Sequence, residues 1–155
     1  MSTIKCNELQ NTAGTGIPNG ARLLYSANSN GSNRTLSGDS GWVSHMSGTF
    51  SPSRVSNVLV EATFSMTYEN GAVISVCRLL VDGVDYGGFC MSKQSTANAG
   101  AAASGTWQFP AVTAGSHTYD LQVRNTQGGT TCILNYWDAG LGDSYSKDTI
   151  VFTYQ

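Results

Sequence analysis

The sequence predicts an all-β fold, a jelly-roll-like antiparallel β-sandwich that follows an extended N-terminal arm. Three observations predict it. Apolar and polar residues alternate along several segments, as they do in strands with one buried face. Asn-Gly and Asp-Gly pairs, which favour the positive φ angles of tight hairpin turns, separate some of these segments. Hardly any segment has a helical period, and about eight to ten short strands divided by turns are typical of two packed sheets.

The 155 residues are enough for one compact domain that buries its own core without a metal or a disulfide. We divide the chain into an N-terminal arm, residues 1–20, and a β-sandwich domain, residues 21–155. The arm consists of TIKCNELQ followed by NTAGTGIPNG, which is rich in turn residues and can hardly bury itself. Two interpretations stay open: an arm that reaches a neighbouring subunit, and a frayed or edge-strand terminus.

Two segments have the clearest strand pattern. In residues 58–68 and 117–125 a buried face alternates with a more polar one, which places Val58, Val60, Ala62, Phe64 and Met66, and likewise His117, Tyr119, Leu121 and Val123, on one face of their strands. Asn70-Gly71 and Asp82-Gly83 are the predicted hairpin turns on either side of a strand at 72–81. Further strands are predicted at 21–27, 42–50, 84–92, 105–109, 130–137 and 147–155.

The segments between these strands read as loops. Residues 28–33 (NSNGSN) and 138–146 (DAGLGDSYS) have the composition of loops. The small-residue run from Gln94 to Gly105 has no helix caps and no large apolar side chains, so we expect a tight loop or short turn there.

Composition and charge exclude several classes of protein. Charged residues are 12% of the chain and the net charge is −2, with no basic block, so nucleic acid is not an expected partner. No apolar run is long enough to span a membrane, and the N-terminus lacks the apolar centre of a signal peptide. Cys6, Cys77, Cys90 and Cys132 have neither CxxC spacing nor a neighbouring histidine cluster, so we predict reduced cysteines.

The segment Gly38–Trp42, GDSGW, is similar to the nucleophile segment of chymotrypsin-like proteases. A catalytic triad needs a base and a carboxylate placed by a larger double barrel, and in those proteases both precede the serine. Here His45 and His117 follow Ser40. We therefore predict a turn, because Gly, Asp and Ser favour turn geometry.

Other reactive side chains also favour structural roles. His117 could be a metal ligand, as in trimeric fibre proteins that bind iron along their threefold axis. Those proteins use repeated His-x-His pairs, and this chain has none, so a structural histidine is favoured. Asp138 and Asp143 do not have the ligand spacing of a calcium loop. Asp82 and Asp85 are paired carboxylates of the kind that glycoside hydrolases use, but Asp82 is already explained by its Asp-Gly turn. We predict no enzyme, no cofactor and no metal.

Aromatic residues divide into two groups. Trp107 and Phe109, which precede Pro110, are predicted to lie in the core. The residues that could be exposed and could stack on a ligand lie in or beside the last strands: Tyr136, Trp137, Tyr145 and Tyr154.

Two motifs carry a resemblance to a known family. The phrase FPAVTAGSHTYDLQVR, residues 109–124, and the hairpin CRLLVDGVDYGG, residues 77–88, resemble the trimeric jelly-roll domains of bacteriophage virion proteins. These domains occur in capsid decoration (cement) proteins and in the heads of tail fibres. The start MSTIK, followed by Leu9-Gln10 and a Gly/Pro turn, is also similar to the start of phage structural proteins.

The resemblance implies a homotrimer in the virion, made in the host cytoplasm and placed on the capsid surface. A decoration protein would stabilise the head as trimers at threefold positions, and its arm would contact the major capsid protein or a neighbouring subunit through Ile4, Lys5, Cys6, Leu9, Gln10, Ile17 and Pro18. The alternative is a tail or head fibre adhesin that recognises a host surface glycan or protein. Its candidate binding residues are Asn28, Asn30, Asn33 and Tyr145.

Overall fold

The structure is a computed structural model that describes residues 22–28, 34–68, 73–94, 100–134 and 148–154. This part of the chain forms ten strands. Within it, no helix is long and apolar enough to cross a lipid bilayer. The strands are β1 (Arg22–Asn28), β2 (Arg34–Ser37), β3 (Val43–Phe50), β4 (Ser56–Tyr68), β5 (Val73–Val81), β6 (Val84–Gln94), β7 (Gly100–Val112), β8 (His117–Asn125), β9 (Thr131–Leu134) and β10 (Thr149–Tyr154).

The strands form two antiparallel sheets. One sheet has the order β3-β8-β5-β6. In the other, the long strand β4 pairs with β7 along one edge, and with β10 and then β9 along the opposite edge. β1 flanks β10, and β2 flanks β9. Without the short strands β2 and β9, the sheets read β1-β10-β4-β7 and β3-β8-β5-β6, which is the arrangement of a jelly roll. The predicted all-β, jelly-roll-like sandwich is therefore confirmed, and the arm predicted at residues 1–20 lies outside the described residues.

The core lies between the two sheets, where the alternating strands point their apolar faces at each other. The inward residues predicted for β4 are all buried, and so are Tyr119, Leu121 and Val123 of β8. Aromatic rings fill the centre, with Phe152 packed 4.5 Å from Phe50 and 5.0 Å from Tyr119 between ring centroids.

Further predicted core residues are buried as well. Trp107 and Phe109 lie in the core, and the Trp107 indole Nε1 donates a hydrogen bond to the carbonyl oxygen of Gly87 at 3.0 Å. Cys77 and Cys132 are buried thiols of the same core, as reduced cysteines are expected to be.

The predicted turns at the ends of strands also form. Asp82 and Gly83 have φ angles of 50° and 79°, so the hairpin between β5 and β6 has the expected geometry. Gly38 and Gly41 have φ angles of 63° and 66°, and Gly38 N–H donates to the Thr130 carbonyl at 2.8 Å, so the chain bends in the GDSG segment where the sequence predicts a turn. The Asn70-Gly71 pair lies outside the described residues.

The prediction of a loop over residues 94–105 is wrong at Gln94 and at residues 100–105, and residues 95–99 lie outside the described residues. Gln94 ends β6, and residues 100–105 begin β7, where Ala101 and Ala103 pair with Met66 and Phe64 of β4. The long edge of β4 supplies hydrogen-bond partners to these small residues, so tertiary pairing overrides their low strand propensity. β2 was not predicted, and Asn28, assigned to a loop, pairs with Thr149 as the last residue of β1.

Candidate functional site

A ladder of polar side chains crosses the outer face of the four-stranded sheet. Arg78 of β5 binds Asp85 of β6 through Nη1 and Oδ2 at 2.7 Å, and its Nε donates to Gln122 Oε1 of β8 at 2.9 Å. Gln122 Nε2 donates to Asp120 Oδ2 at 2.6 Å, and Ser44 Oγ of β3 donates to Asp120 Oδ1 at 2.6 Å. This polar ladder therefore ties all four strands together on the face that points away from the core.

The alternation of β5 and β8 explains why these side chains share one face. Cys77, Leu79 and Val81 of β5 point into the core, which leaves Arg78 on the opposite face. On β8, the buried Leu121 and Val123 leave Gln122 outside in the same way. Arg78 and Gln122 are register partners in the antiparallel pair β5–β8, so their side chains meet.

An open cleft of about 350 Å³ lies beside the ladder. We call it the Trp42 cleft; its lining includes Trp42, Val76, Arg78, Asp85, Gly87 and Gly88. The guanidinium carbon of Arg78 lies 4.4 Å from the ring centroid of Trp42, a cation–π contact that fixes the indole over the sheet. Trp42 nevertheless stays 37% exposed.

The β6 side of the cleft is shaped by backbone. Asp85 Oδ1 accepts the Gly87 N–H at 2.7 Å, and Gly87 has a φ of 75°, a conformation that favours glycine. Gly88 is the register partner of Arg78, and a Cβ there would overlap the carbonyl oxygen of Cys77. The two glycines therefore let β6 pass close to β5 and leave the space above Val76 and Arg78 open.

A second polar cluster joins two loops at one end of the sandwich. The His117 Nδ1 lies 2.7 Å from Asp82 Oδ2, and its Nε2 lies 3.0 Å from the Thr113 carbonyl oxygen. Asp82 Oδ1 also accepts the Thr118 N–H at 2.8 Å. Because both imidazole nitrogens face acceptors, the protonated ring satisfies both contacts. The hydrogen bond with Asp82 raises the pKa of His117, and the hydrogen bond from His117 lowers the pKa of Asp82.

We expect this cluster to make stability depend on pH. The contribution of His117 is present below its ordinary pKa of 6.5 and is lost as the pH rises through its raised pKa. The contribution of Asp82 is present above its ordinary pKa of 3.8 and is lost as the pH falls through its lowered pKa. We expect the difference in melting temperature between the wild type and His117→Gln to be largest at pH values between 3.8 and 6.5, as measured by thermal unfolding from acidic to alkaline pH. A difference that stays constant from pH 5 to pH 9 would contradict the expectation.

A buried hydrogen bond between a histidine and an aspartate joins the two sheets. His45 of β3 binds Asp148 through Nε2 and Oδ2 at 2.7 Å, and the side chains are 3% and 0% exposed. Asp148 Oδ1 accepts the Ser65 backbone N–H at 2.6 Å. Ser65 lies in the part of β4 between the residues that pair with β10 and those that pair with β9. The Asp148 carboxylate therefore accepts a backbone N–H of β4 at the gap between its two neighbouring strands, β10 and β9.

Ser40 and both histidines each have hydrogen-bond partners of their own. Ser40 Oγ donates to the Gly41 carbonyl at 3.1 Å and accepts the Asn125 N–H at 3.3 Å. The two histidines each bind an aspartate elsewhere in the fold.

Most of the predicted site residues lie outside the described residues. The arm positions Ile4, Lys5, Cys6, Leu9, Gln10, Ile17 and Pro18 all do, and so do the loop positions Asn30, Asn33 and Tyr145. Asn28 ends β1, and Tyr154 lies half-buried in β10. The role of these residues in binding therefore stays a prediction.

Sequence reasoning missed the Trp42 cleft. Trp42 comes directly before β3, Arg78 lies in the middle of β5, and Asp85 follows the next turn. One signal could have pointed to this site: the only charged residue of the β5 segment, Arg78, has apolar neighbours on both sides in the sequence.

Comparisons with known proteins support the fold. No protein-family model matches the chain, and no curated protein matches it by sequence. Among solved structures, it is similar to the VP2 subviral particle of infectious bursal disease virus, with 9% identity over 87% of this chain and 37% of that chain, at a TM-score of 0.53. The structure of the Gx strain of this virus matches with 9% identity over 90% of this chain and 37% of that chain, at a TM-score of 0.50.

These likenesses concern the fold. The chain spans little more than a third of the viral chains that it matches. It shares a β-sandwich fold with the matched part of those chains.

Proposed function

We propose that this protein is a structural component of a virus particle, and specifically a bacteriophage decoration protein that stabilises the capsid. The observation that carries the proposal is the jelly-roll order of the two sheets, which matches solved virus-particle structures over most of the chain. A structural role also fits a low charge content and polar side chains that are tied to each other by hydrogen bonds on the outer face.

The decoration mechanism works by mass action. A protein that binds only the assembled shell stabilises it by RT ln(1 + [L]/Kd), and so helps it to resist the pressure of a packed genome. In this proposal the arm, residues 1–20, binds the major capsid protein or a neighbouring subunit, and the sandwich forms a homotrimer at threefold positions.

Exposed apolar residues support self-association of the sandwich. Val84 and Tyr86 are 56% and 48% exposed at the start of β6. Within the described residues β6 pairs only with β5, so it is an edge strand. An edge with uncovered apolar side chains is a liability in a free monomer, and a second copy of the chain would cover it.

We expect the protein at threefold positions of the head in cryo-electron microscopy of intact virions. Deleting residues 1–17 should leave the sandwich folded and self-associated but lower its binding to purified capsids by about tenfold or more. The control is the full-length chain on the same capsids. Density confined to the tail or to a vertex spike would rule out decoration, and capsid binding that survives the deletion would rule out the arm as the anchor.

The second candidate function is a fibre adhesin that recognises a host surface glycan or protein. The Trp42 cleft favours it, because an exposed indole beside fixed polar groups is a binding feature that a purely structural sheet face does not need. The same localisation experiment separates the two candidates, since an adhesin would lie on the tail or on a head fibre.

A further inference from the structure

We propose that the Trp42 cleft binds a neutral pyranose sugar. This inference goes beyond the structural role of the sandwich and does not depend on where in a particle the protein lies. It rests on the shape, the chemistry and the rigidity of the cleft.

The apolar part of the cleft fits a sugar ring. A pyranose presents a face of C–H groups, and such a face packs on an aromatic ring. Trp42 supplies the ring, and Val76 adds an aliphatic surface beside it. Gly87 and Gly88 add no side chains, so a flat ring can approach the strand. The volume of about 350 Å³ is at the small end of the range for small-molecule sites.

The polar part supplies both donors and acceptors. Arg78 uses Nε and one Nη1 N–H within the polar ladder, and among the described residues its Nη2 has no acceptor. Each carboxylate oxygen of Asp85 accepts one hydrogen bond and keeps a lone pair for a second one, and the side chain is 43% exposed. A sugar hydroxyl both donates and accepts, so vicinal hydroxyls can bind Asp85 and Arg78 together.

The charges of the cleft favour a neutral ligand. Among the lining residues that the structure describes, Arg78 is the one cation and Asp85 the one anion, and Asp120 adds a second carboxylate through Gln122. A phosphate or carboxylate ligand would be repelled by the carboxylates of Asp85 and Asp120, and the Arg78 guanidinium that would attract it is already partly neutralised by Asp85. A neutral saccharide meets no such repulsion.

The site is also preorganised. Gln122 and Asp85 hold the guanidinium from two sides, and the guanidinium in turn contacts the Trp42 ring. Binding therefore orders few side chains, and a single sugar in a shallow site is expected to bind with a Kd on the order of 1 mM. Repetition of the site on an oligomer or a particle would raise the avidity.

The test is an NMR titration of the full chain with methyl glycosides of glucose, galactose, mannose, N-acetylglucosamine and N-acetylgalactosamine, each to about 50 mM. For at least one sugar we expect saturable shifts of the Trp42 indole N–H and of the Gly87 and Gly88 amides. Trp42→Ala and Asp85→Asn should each weaken that binding by about tenfold or more, and Trp42→Phe should retain part of it. Val55→Ala, at a 63% exposed apolar residue outside the cleft, is the control and should bind like the wild type.

Three results would overturn the proposal. The first is the absence of saturable shifts with all five sugars. The second is binding that Trp42→Ala and Asp85→Asn leave unchanged. The third is tighter binding of glucuronate or inorganic phosphate than of any neutral glycoside, which would make the cleft an anion site. Circular dichroism checks the fold of each variant, and Asp85→Asn decides the test if Trp42→Ala does not fold.

Discussion

Replacing Asp148 by alanine is expected to lower the free energy of unfolding by about 2–5 kcal/mol, because the hydrogen-bond partners of a buried carboxylate lose their acceptor. The His45 imidazole would lose its carboxylate, and the Ser65 N–H would lose an acceptor at 2.6 Å inside the six-stranded sheet. Asp148→Asn should cost less, since an amide oxygen can still accept the Ser65 N–H.

Urea denaturation followed by circular dichroism measures this loss. The matched control is Asp39→Ala, which removes an ion pair between Arg124 and a 53% exposed carboxylate and should cost at most about 1 kcal/mol. In a double-mutant cycle, His45→Ala and Asp148→Ala should show a coupling energy above about 1 kcal/mol. If Asp148→Ala is no more destabilising than Asp39→Ala, the pair does not hold the sheets together.

Gly88→Ala is expected to destabilise the protein by at least about 3 kcal/mol. The added Cβ would overlap the Cys77 carbonyl oxygen and lie 2.8 Å from Arg78 Cα. These are backbone atoms of the paired strand, which cannot rotate away as a flexible side chain can. β5 and β6 would have to separate locally, and the cleft above them would change shape.

Gly128→Ala is the control for this substitution, because nothing lies within 4 Å of a Cβ at that position. It should change the free energy of unfolding by no more than about 0.5 kcal/mol. Urea denaturation compares the two variants, and amide spectra of β5 and β6 locate the disturbance. Equal stabilities of the two variants would show that the strands tolerate the wider spacing.

The sequence predicted those parts of the fold that depend on local pattern. The alternation of residues 58–68 and 117–125 indicates which side chains face the core, and the Asp82-Gly83 pair meets the φ requirement of its turn. Residues 100–105 were missed because alanine, glycine and serine have weak strand preference, and only pairing with β4 makes them a strand.

The candidate site was beyond such local reasoning. Trp42, Arg78 and Asp85 meet because β3, β8, β5 and β6 are neighbours in one sheet, and strand order is a property of the whole chain. The bulge in β6 that aligns Gly88 with Arg78 also has no sequence pattern of its own. The buried pair of His45 and Asp148 joins residues that are 103 positions apart.

The place of β10 in its sheet has a consequence for synthesis on the ribosome. β10 lies between β1 and β4, so neither strand can pair along this edge until β10 has been synthesised. The roughly 80 residues that separate β4 from β10 take about 4 to 16 seconds to translate. During that time the nascent chain presents an unpaired edge of β4, and aggregation competes with folding. A truncated chain without β10 would keep that edge open permanently.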